Sequence, residues 1–367
     1  MKSKKIIHLI TTIERGGAEK QLLTLVREQV RSGLDVEIFY LKGTPELKLE
    51  FENCGAIVNQ NLLKKSFVRQ IRIFRKILNY DQVPVHAHLP KSELIASLAC
   101  RKGRFIFSRH NSEAFWPSAP KLLSNSLSRF VAKRAESGIC ISDAVGDFLT
   151  HRGELSKNYD LKTIHYGYDK NYDLNSLALA EINKYLIVQP GILRVGCVGR
   201  LVKQKDYPTL LRAVKQVIDS GLEVDLFILG EGKEKDNLDE LTFNLGINEK
   251  VRWLRRTPHV NEFLSQLDLF VLPSIYEGFG LVLLEAMQAK KPILAANNSS
   301  IPEVLGVDYP GLFETSNVEH LSGLIRKVFK EGVFAKQLVS NYANRLEFFR
   351  PEVMAGKLLN VYEKSGF

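Results

Sequence analysis

The chain of 367 residues contains few cysteines and no long apolar run. Its four cysteines are far apart in the sequence, without a Cys-x-x-Cys pair, at Cys54, Cys100, Cys140 and Cys197. This spacing argues against a zinc site and a disulfide framework, and it suits a reducing cytosol. We expect the four thiols to act as small, buried apolar side chains.

The apolar pattern predicts neither a signal peptide nor a membrane-spanning helix. The run Ile6–Ile13 is short, contains His8 and ends without a small-residue cleavage site, so it predicts a first buried strand. No stretch reaches the ~20 apolar residues that a membrane-spanning helix needs. We therefore expect a cytoplasmic protein that does not cross a membrane.

Two ligand-binding motifs are also missing. No Gly-x-Gly-x-x-Gly follows the first predicted strand, which argues against a nicotinamide-dependent oxidoreductase, although that alternative shares the predicted architecture. No Asp-x-Asp occurs anywhere. His86-Ala87-His88 would place two imidazoles on one face of a strand, but no third ligand lies nearby in the sequence. We expect no metal site.

The net charge of +10 is unevenly distributed. Residues 1–170 contain 28 lysines and arginines against 17 aspartates and glutamates, a net charge of +11, whereas residues 171–367 carry −1. A basic half of this kind indicates a polyanionic partner, such as nucleic acid, anionic lipid or a phosphorylated acceptor. Because the basic half contains no recognised nucleic-acid motif, we expect no nucleic-acid partner.

Apolar strand-like runs alternate with helical patterns along the whole chain, which indicates parallel α/β structure in two domains. Two doubly wound sheets in tandem fit this pattern, and Asn171–Gln189 is the candidate connector. Strands are predicted at Lys5–Thr12, Val36–Leu41, Val83–His86, Arg104–Ser108, Ser137–Ile141, Arg194–Val198, Val224–Leu229, Leu269–Leu272 and Pro292–Ala295. Helices are predicted at Ala18–Ser32, Tyr207–Ser220, a segment through Leu241, a segment from about Gly280, and Pro351–Lys364.

The segment from Glu277 to Glu285 carries the strongest chemical signal. A strand ends at Pro273-Ser274, a turn with Gly278 and Gly280 follows, and a helix begins. Free backbone N–H groups at a helix start bind anions, and glycines allow the backbone to approach a ligand closely.

Glu285 lies in a helix of otherwise apolar residues, so we expect its carboxylate to be buried and to need a partner. That partner is either a lysine, Lys290 or Lys291, or the hydroxyl groups of a ligand such as a ribose.

The same segment, Glu-x7-Glu after Pro-Ser with Glu-Gly-Phe-Gly and Glu-Ala-Met inside it, resembles the signature of glycosyltransferase family 4. The resemblance implies a GT-B fold of two Rossmann-like domains facing a cleft, and a retaining, metal-independent reaction. It also implies that Glu277 contacts the transferred sugar and Glu285 holds the ribose. The backbone of Phe279, Gly280 and Leu281 would then meet phosphate and sugar.

The resemblance also implies domain boundaries. An acceptor-binding domain would span residues 1–180, a donor-binding domain 190–346, and a C-terminal helix at 347–367 would pack back on the first domain.

Two further segments resemble motifs of this family in the donor domain. Gly199-Arg200-Leu201 followed by Lys205-Asp206 resembles Gly-Arg-Leu-x-x-x-Lys-Gly, which implies that Arg200 and Lys205 neutralise the donor diphosphate. The alternative is a solvated basic loop. Gly230-Glu231-Gly232 resembles the Gly-x-Gly near the nucleotide base, with a plain turn as the alternative.

The remaining family motifs lie in the first half. Gly16 and Gly17, in Gly-Gly-Ala-Glu, would turn helix-start amides towards the donor phosphates. His110 follows a strand where the family often has a histidine near the donor sugar, and a structural histidine is the equal alternative. Tyr166 replaces an asparagine of the family, so we assign it no role. Ser299-Ser300 stands where the family often has Gly-Gly, and Asp206 where it often has Gly.

Leu62–Leu78 combines six lysines and arginines with apolar residues and predicts a basic amphipathic helix. Such a helix fits either an anionic membrane surface or ordinary packing with one solvated face.

The resemblance implies transfer of a sugar from a UDP- or GDP-linked donor to a glycan or polyprenyl-diphosphate-linked acceptor, with no cofactor. It also implies bacterial surface polysaccharide synthesis as the setting, and the basic first half adds the expectation of peripheral contact at the inner face of the cytoplasmic membrane. A catalytically inactive subunit that binds nucleotide sugars remains the main alternative.

Overall fold

The structure is a computed structural model that describes residues 5–78, 83–169, 174–184, 186 and 191–364. It divides into two compact units, residues 1–169 with 349–367 and residues 170–348. The first boundary therefore falls after Asp169, ahead of the predicted 180. The predicted connector lies partly outside the described residues, and its described part contains a helix.

A parallel sheet of seven strands forms the centre of the first unit within the described residues. In chain order the strands are β1 (Lys5–Ile10), β2 (Asp35–Tyr40), β3 (Ile57–Asn59), β4 (Val85–His88), β5 (Phe105–Arg109), β6 (Ser137–Cys140) and β7 (Leu161–Thr163). Their spatial order is β3-β2-β1-β4-β5-β6-β7, so the order reverses direction between β1 and β4. The strands at the centre of the sheet, β1, β4, β5 and β6, are buried almost throughout, as expected for a parallel sheet with helices on both faces.

The helices of the first unit alternate with these strands along the chain. They are α1 (Gly17–Arg31), α2 (Lys48–Asn53), α3 (Phe67–Leu78), α4 (Pro90–Ala99), α5 (Lys121–Arg134) and α6 (Asp143–Arg152). The basic helix predicted from Leu62 begins at Phe67, because the residues before it form a turn in which Lys64 has a left-handed backbone.

The second unit contains a parallel sheet of six strands within its described residues, in the order β10-β9-β8-β11-β12-β13. The strands are β8 (Leu193–Val198), β9 (Val224–Leu229), β10 (Val251–Leu254), β11 (Leu269–Leu272), β12 (Ile293–Ala296) and β13 (Leu312–Phe313). The helices are α7 (Ser176–Asn183), α8 (Tyr207–Asp219), α9 (Lys235–Asn244), α10 (Val260–Ser265), α11 (Leu281–Gln288), α12 (Ile301–Leu305), α13 (Val318–Lys330) and α14 (Gly332–Asn341). The predicted architecture, two doubly wound parallel sheets, is confirmed.

The C-terminal helix α15 (Pro351–Lys364) returns to the first unit, where it packs against α1. Its residues Met354, Leu358, Val361 and Tyr362 are buried in the same core cluster as β1 and β2. No helix in the described part of the chain is long and apolar enough to cross a membrane. Three of the four cysteines are buried and Cys54 is half-buried.

Candidate active site

Two of the three predicted donor motifs of the second unit lie at the point where its strand order reverses. β8 and β11 are neighbours in the sheet, and the chain leaves their carboxyl ends at Gly199 and Pro273. In open α/β sheets, ligands bind outside the carboxyl ends of the strands at such a reversal. The topology therefore brings together two segments that are more than 70 residues apart in sequence.

Lys205 and Glu277, both predicted to be catalytic, form an ion pair at this point. The Lys205 Nζ lies 2.5 Å from the Glu277 Oε1, and the two side chains are only 13% and 9% exposed. The Ser274 hydroxyl donates a second hydrogen bond to the same Oε1, at 2.6 Å. The Glu277 carboxylate is thus held in one position by a cation and a hydroxyl group.

Backbone contacts join the two loops on either side of this pair. The Ile275 N–H donates to the Gln204 carbonyl at 2.8 Å, and the Gln204 Nε2 donates to the Tyr276 carbonyl at 2.8 Å. Gln204 therefore fixes the loop that carries Lys205 against the loop that carries Glu277. Sequence reasoning gave Gln204 no role, because its contacts involve backbone atoms of a distant segment.

Two serines form hydrogen bonds with the backbone of Glu277. The Ser299 Oγ accepts from the Glu277 N–H at 2.8 Å, and the Ser300 Oγ donates to the Glu277 carbonyl at 3.1 Å. Ser299 has a φ of +44°, a left-handed conformation that favours glycine, in agreement with the Gly-Gly that the family often has here. The hydroxyls that replace those glycines provide hydrogen bonds that glycine lacks.

Gly280 caps the helix that carries Glu285. Its φ is +83°, and α11 begins at the next residue, Leu281. Phe279 is buried, whereas Leu281 and Glu285 are half-buried. The expected full burial of Glu285 was wrong. Leu281 and Glu285 share one side of the short helix, and the core-facing side is formed by other residues.

Arg200 and Asp206 lie in the loop after β8. Arg200 is exposed, and its guanidinium forms no ion pair with any residue that the structure describes. Asp206 has a left-handed backbone with a φ of +44°, and its carboxylate accepts hydrogen bonds from Thr209 and Ser316. These bonds explain how an aspartate replaces the usual glycine.

Gly230 and Gly232 pack against that same loop. A Cβ at Gly230 would overlap the Gly199 carbonyl, and one at Gly232 would overlap the Leu201 carbonyl. The Leu201 N–H also donates to the Glu231 carbonyl at 2.9 Å, while the Glu231 side chain is exposed. The glycines thus allow two loops to approach each other closely.

Gly230→Ala should shift the loop around Arg200 and lower the free energy of unfolding by about 1–3 kcal/mol, because a backbone carbonyl cannot move aside as a side chain would. Gly323→Ala, in α13, is the control, since a Cβ there would meet only the end of the Arg326 side chain, at 4.0 Å, and alanine favours a helix. Urea unfolding of the three proteins measures the difference. Equal stability of the Gly230→Ala variant and the wild type would contradict this packing.

In the first unit, Gly16 precedes the first turn of α1 and Gly17 begins it. The buried carboxylate of Glu19 lies against Gly16, so closely that a Cβ there would overlap it, and accepts a hydrogen bond from Thr12. A carboxylate in this place already occupies part of the space beside the helix start that was predicted to face phosphate.

His110 follows β5, and both of its ring nitrogens are hydrogen-bonded within the unit. Its Nδ1 lies 2.7 Å from the Tyr166 hydroxyl, and its Nε2 lies 3.1 Å from the His88 Nδ1. Burial lowers the pKa of His110 to about 4, so the imidazole is neutral near pH 7. The structure places His110 in the first unit, whereas Lys205 and Glu277 belong to the second.

His8, from β1, completes a cluster with His86 and His88, from β4. One nitrogen from each ring lies within 4.8 Å of the others, close enough to share a metal ion. The expectation that no third ligand is near was therefore wrong, because strand pairing sets His8 opposite His86. Every ring nitrogen of the three already has a hydrogen-bond partner in the protein.

A cavity borders this cluster on the α1 and α15 side of the sheet. His88, His110 and Tyr166 line it together with Gln21, whose Oε1 is buried and has no hydrogen-bond partner within the described residues. Tyr166, which the sequence left without a role, is thus one of the polar groups beside His110. The signal that would have identified it is its position where the family has an asparagine.

The sequence matches two protein families that together span most of its length. Residues 15–172 match Glycosyltransferase Family 4, and residues 189–345 match Glycosyl transferases group 1. The chain belongs to glycosyltransferase family 4. As a glycosyltransferase of this family it carries the signature Glu277 and Glu285 in the second matched region, and Gly16, Gly17 and His110 in the first.

Individual relatives agree with this assignment. The capsular polysaccharide biosynthesis glycosyltransferase CapM of Staphylococcus aureus is 23% identical over 386 residues, which cover 99% of this family 4 chain and 97% of CapM. An uncharacterised glycosyltransferase of Methanocaldococcus jannaschii is 27% identical over 210 residues, and the match covers 55% of this chain and 54% of that relative.

The fold of this glycosyltransferase is similar to that of solved structures. The crystal structure of HepE from Anabaena in complex with UDP-glucose has a TM-score of 0.82, at 18% identity, with coverage of 98% of this chain and 99% of HepE. The predicted GT-B fold is confirmed.

Proposed function

We propose that this glycosyltransferase moves a sugar from a nucleoside diphosphate donor to a glycan or lipid-linked glycan in bacterial surface polysaccharide synthesis. The observation that carries the proposal is the pair of Lys205 and Glu277, which stands where β8 and β11 end and the strand order reverses. The similarity to CapM, a capsular polysaccharide glycosyltransferase, and to HepE, solved in complex with UDP-glucose, supports the pathway and a UDP-linked donor. A GDP-linked donor is the other candidate.

Lys205 and the exposed Arg200 would stabilise the negative charge that develops on the departing diphosphate. Glu277 would contact the sugar, and Glu285 the ribose. The reaction breaks the bond between the anomeric carbon and the phosphate oxygen and forms one to the acceptor oxygen, on the same face of the sugar. The proton of the acceptor hydroxyl passes to the departing phosphate oxygen, so the configuration is retained without a protein nucleophile.

The test is a panel of UDP- and GDP-sugars, with nucleotide release measured with and without EDTA and the anomeric configuration of the product read by proton NMR. We expect release with one donor, unchanged by EDTA, and an α-linked product from an α-linked donor. Loss of release in EDTA would overturn the metal-independent reaction. Donor binding without turnover would identify an inactive subunit, and tight binding of a nicotinamide cofactor would favour an oxidoreductase.

The proposal includes contact of α3 with an anionic membrane at the inner face of the cytoplasmic membrane. α3 buries Gln70 and Phe74 against the unit, and Arg69, Arg72 and Lys76 are exposed. No acidic residue occurs in this helix. A basic exposed face of this kind fits an anionic lipid surface.

Replacing Arg69, Arg72 and Lys76 with glutamine should weaken co-sedimentation with vesicles that contain phosphatidylglycerol by on the order of 100-fold, since each basic residue near the surface contributes ~1 kcal/mol. The control variant replaces three exposed lysines of the second unit, Lys233, Lys330 and Lys336, and thus removes the same charge. Equal loss in both variants, or binding that salt does not weaken, would contradict a specific membrane face.

A further inference from the structure

Eight buried or half-buried side chains of the first unit form one continuous series of hydrogen bonds. From one end, Tyr166 contacts His110, His110 contacts His88, and His88 contacts His8, at 2.7, 3.1 and 3.0 Å. His8 contacts Gln29 at 2.8 Å. We call these residues, with the three named next, the histidine chain.

From the Nε2 atom of Gln29, a second arm of the histidine chain leads to β5. This Nε2 donates to the Tyr362 hydroxyl at 3.3 Å, and that hydroxyl lies 2.8 Å from the His86 Nδ1. The His86 Nε2 lies 2.7 Å from the Ser108 hydroxyl. The chain therefore connects the end of β5, through β1, β4 and α1, to the C-terminal helix.

The amide of Gln29 sets the direction of every bond in the arm that leads to His110. The Gln29 Oε1 can only accept, so the His8 Nε2 carries a proton and donates. A neutral His8 then accepts at Nδ1, which makes the His88 Nε2 a donor.

The same step repeats along the arm. A neutral His88 accepts at Nδ1, so His110 donates from Nε2 and accepts at Nδ1 from the Tyr166 hydroxyl. Each histidine determines the tautomer of the next.

The other arm follows the same logic. The Tyr362 oxygen accepts from Gln29, so its hydroxyl proton is donated to the His86 Nδ1, and the His86 Nε2 donates to Ser108. All four histidines are then protonated on Nε2. A rotation of the Gln29 amide by 180° would reverse both arms and place all four protons on Nδ1.

We propose that Gln29 is a positioning residue that fixes His110 as the tautomer protonated on Nε2, with Tyr166 donating to its Nδ1. His110 is held neutral, with both nitrogens in use, and acts by keeping the Tyr166 hydroxyl in one orientation beside the cavity. His8, His88 and Tyr166 contribute to the same orientation through their hydrogen bonds in this arm. The kinetic consequence rests on the proposed transferase activity, whereas the tautomer does not.

The experiment records the ring nitrogen and proton correlations of the histidines in the uniformly ¹⁵N-labelled full-length protein at pH 7. Protonated and unprotonated ring nitrogens have well-separated ¹⁵N shifts, and a His110→Gln variant assigns the signals of that ring. We expect an unprotonated Nδ1 and a protonated Nε2 for His110.

Variants of Gln29 provide the matched comparison. Gln29→Glu, whose carboxylate still accepts from His8, should keep the wild-type tautomer of His110. Gln29→Leu removes the acceptor, so His110 should show both tautomers. The kcat of Gln29→Leu should fall on the order of tenfold, and its KM should stay within twofold of the wild type. This loss of kcat is much smaller than the ~10⁴-fold loss seen when a wrong tautomer removes a catalytic base. Tyr362→Phe, which interrupts only the other arm, should leave the His110 signals unchanged.

An Nδ1-protonated His110 in the wild type, or an unchanged His110 spectrum in Gln29→Leu, would overturn the proposal. A stoichiometric metal ion on His8, His86 and His88, detected by elemental analysis, would also overturn it, because those nitrogens would no longer carry the hydrogen bonds. If the expected tautomers appear but no donor is turned over, the proposed function fails and the positioning role of Gln29 stands.

Discussion

Lys205→Met should lower kcat by on the order of 100- to 1000-fold, the loss typical when one stabiliser of transition-state charge is removed. In the structure the Lys205 ammonium contacts the Glu277 carboxylate and lies in the loop that Gln204 fixes to the Glu277 segment. The substitution removes the cation proposed to stabilise the diphosphate. It also leaves the nearly buried Glu277 carboxylate with the Ser274 hydroxyl as a side-chain donor.

The control for Lys205→Met is Lys203→Met, in the same short 3₁₀ turn, Lys203–Lys205. Lys203 is exposed, so its loss changes the net charge equally but should leave kcat within twofold. A kcat that falls equally in both variants would show that general charge, and not the position of Lys205, matters.

A third variant separates catalysis from stability. Breaking a buried pair by removing one partner typically costs about 3 kcal/mol or more of stability. Lys205→Met/Glu277→Gln removes both charges, and should recover most of that stability without recovering activity. If the double variant regained activity, the pair would be a structural contact only.

The sequence predicts the fold well because the two sheets are built from strongly patterned segments. Val224–Leu229 and Leu269–Leu272 were predicted with their observed bounds, since both are buried apolar runs. The strands at sheet edges escaped prediction. Ile57–Asn59 and Leu312–Phe313 are two or three residues long, too short for a periodic pattern to appear.

The site was predictable as segments but not as contacts. Lys205 and Glu277 were each identified by a motif, whereas their direct ion pair follows from the pairing of β8 with β11. The predicted burial of Glu285 was wrong for a different reason. The short helix α11 leaves one side uncovered, although most of its residues are apolar.

The histidine chain could not be predicted from local sequence. His8, Gln29, His86 and His110 come from separate strands, helices and loops. The parallel pairing of β1 with β4 and of β4 with β5 brings the histidines together. A spacing rule that examines neighbours in sequence finds His86 and His88 alone. The burial of neutral histidines nevertheless predicts how the stability of the first unit depends on pH, which can be measured.

Lowering the pH from 7 to 5 should weaken the first unit selectively. Burial lowers the pKa of His8 to about 4, from 6.5 in an unfolded chain, so the unfolded state binds a proton that the folded state does not. The stability contributed by His8 is present above pH 6.5 and is lost as the pH falls towards 4. For this residue alone the loss between pH 7 and 5 is about 2 kcal/mol.

Other groups of the unit change the total in both directions. Burial also lowers the pKa of His110 to about 4 and the pKa values of His86 and His88 well below the ordinary range. Burial raises the pKa of Glu93 to about 7, so the contribution of this carboxyl group to the stability of the folded protein increases as the pH falls. Between pH 7 and 5 this contribution increases by about 2 kcal/mol, which offsets the stability lost through one histidine. The other three histidines leave a net loss of stability.

The two tryptophans allow each unit to be followed separately, because Trp116 lies in the first unit and Trp253 in the second. Urea unfolding of Trp253→Phe at pH 7, 6 and 5 reports the first unit through Trp116, and Trp116→Phe reports the second. We expect the Trp116 transition to move to lower urea concentration with acid by more than the Trp253 transition. His8→Gln should reduce that pH dependence by about 2 kcal/mol. A Trp116 transition that does not move between pH 7 and 5 would contradict the burial of neutral histidines in the first unit.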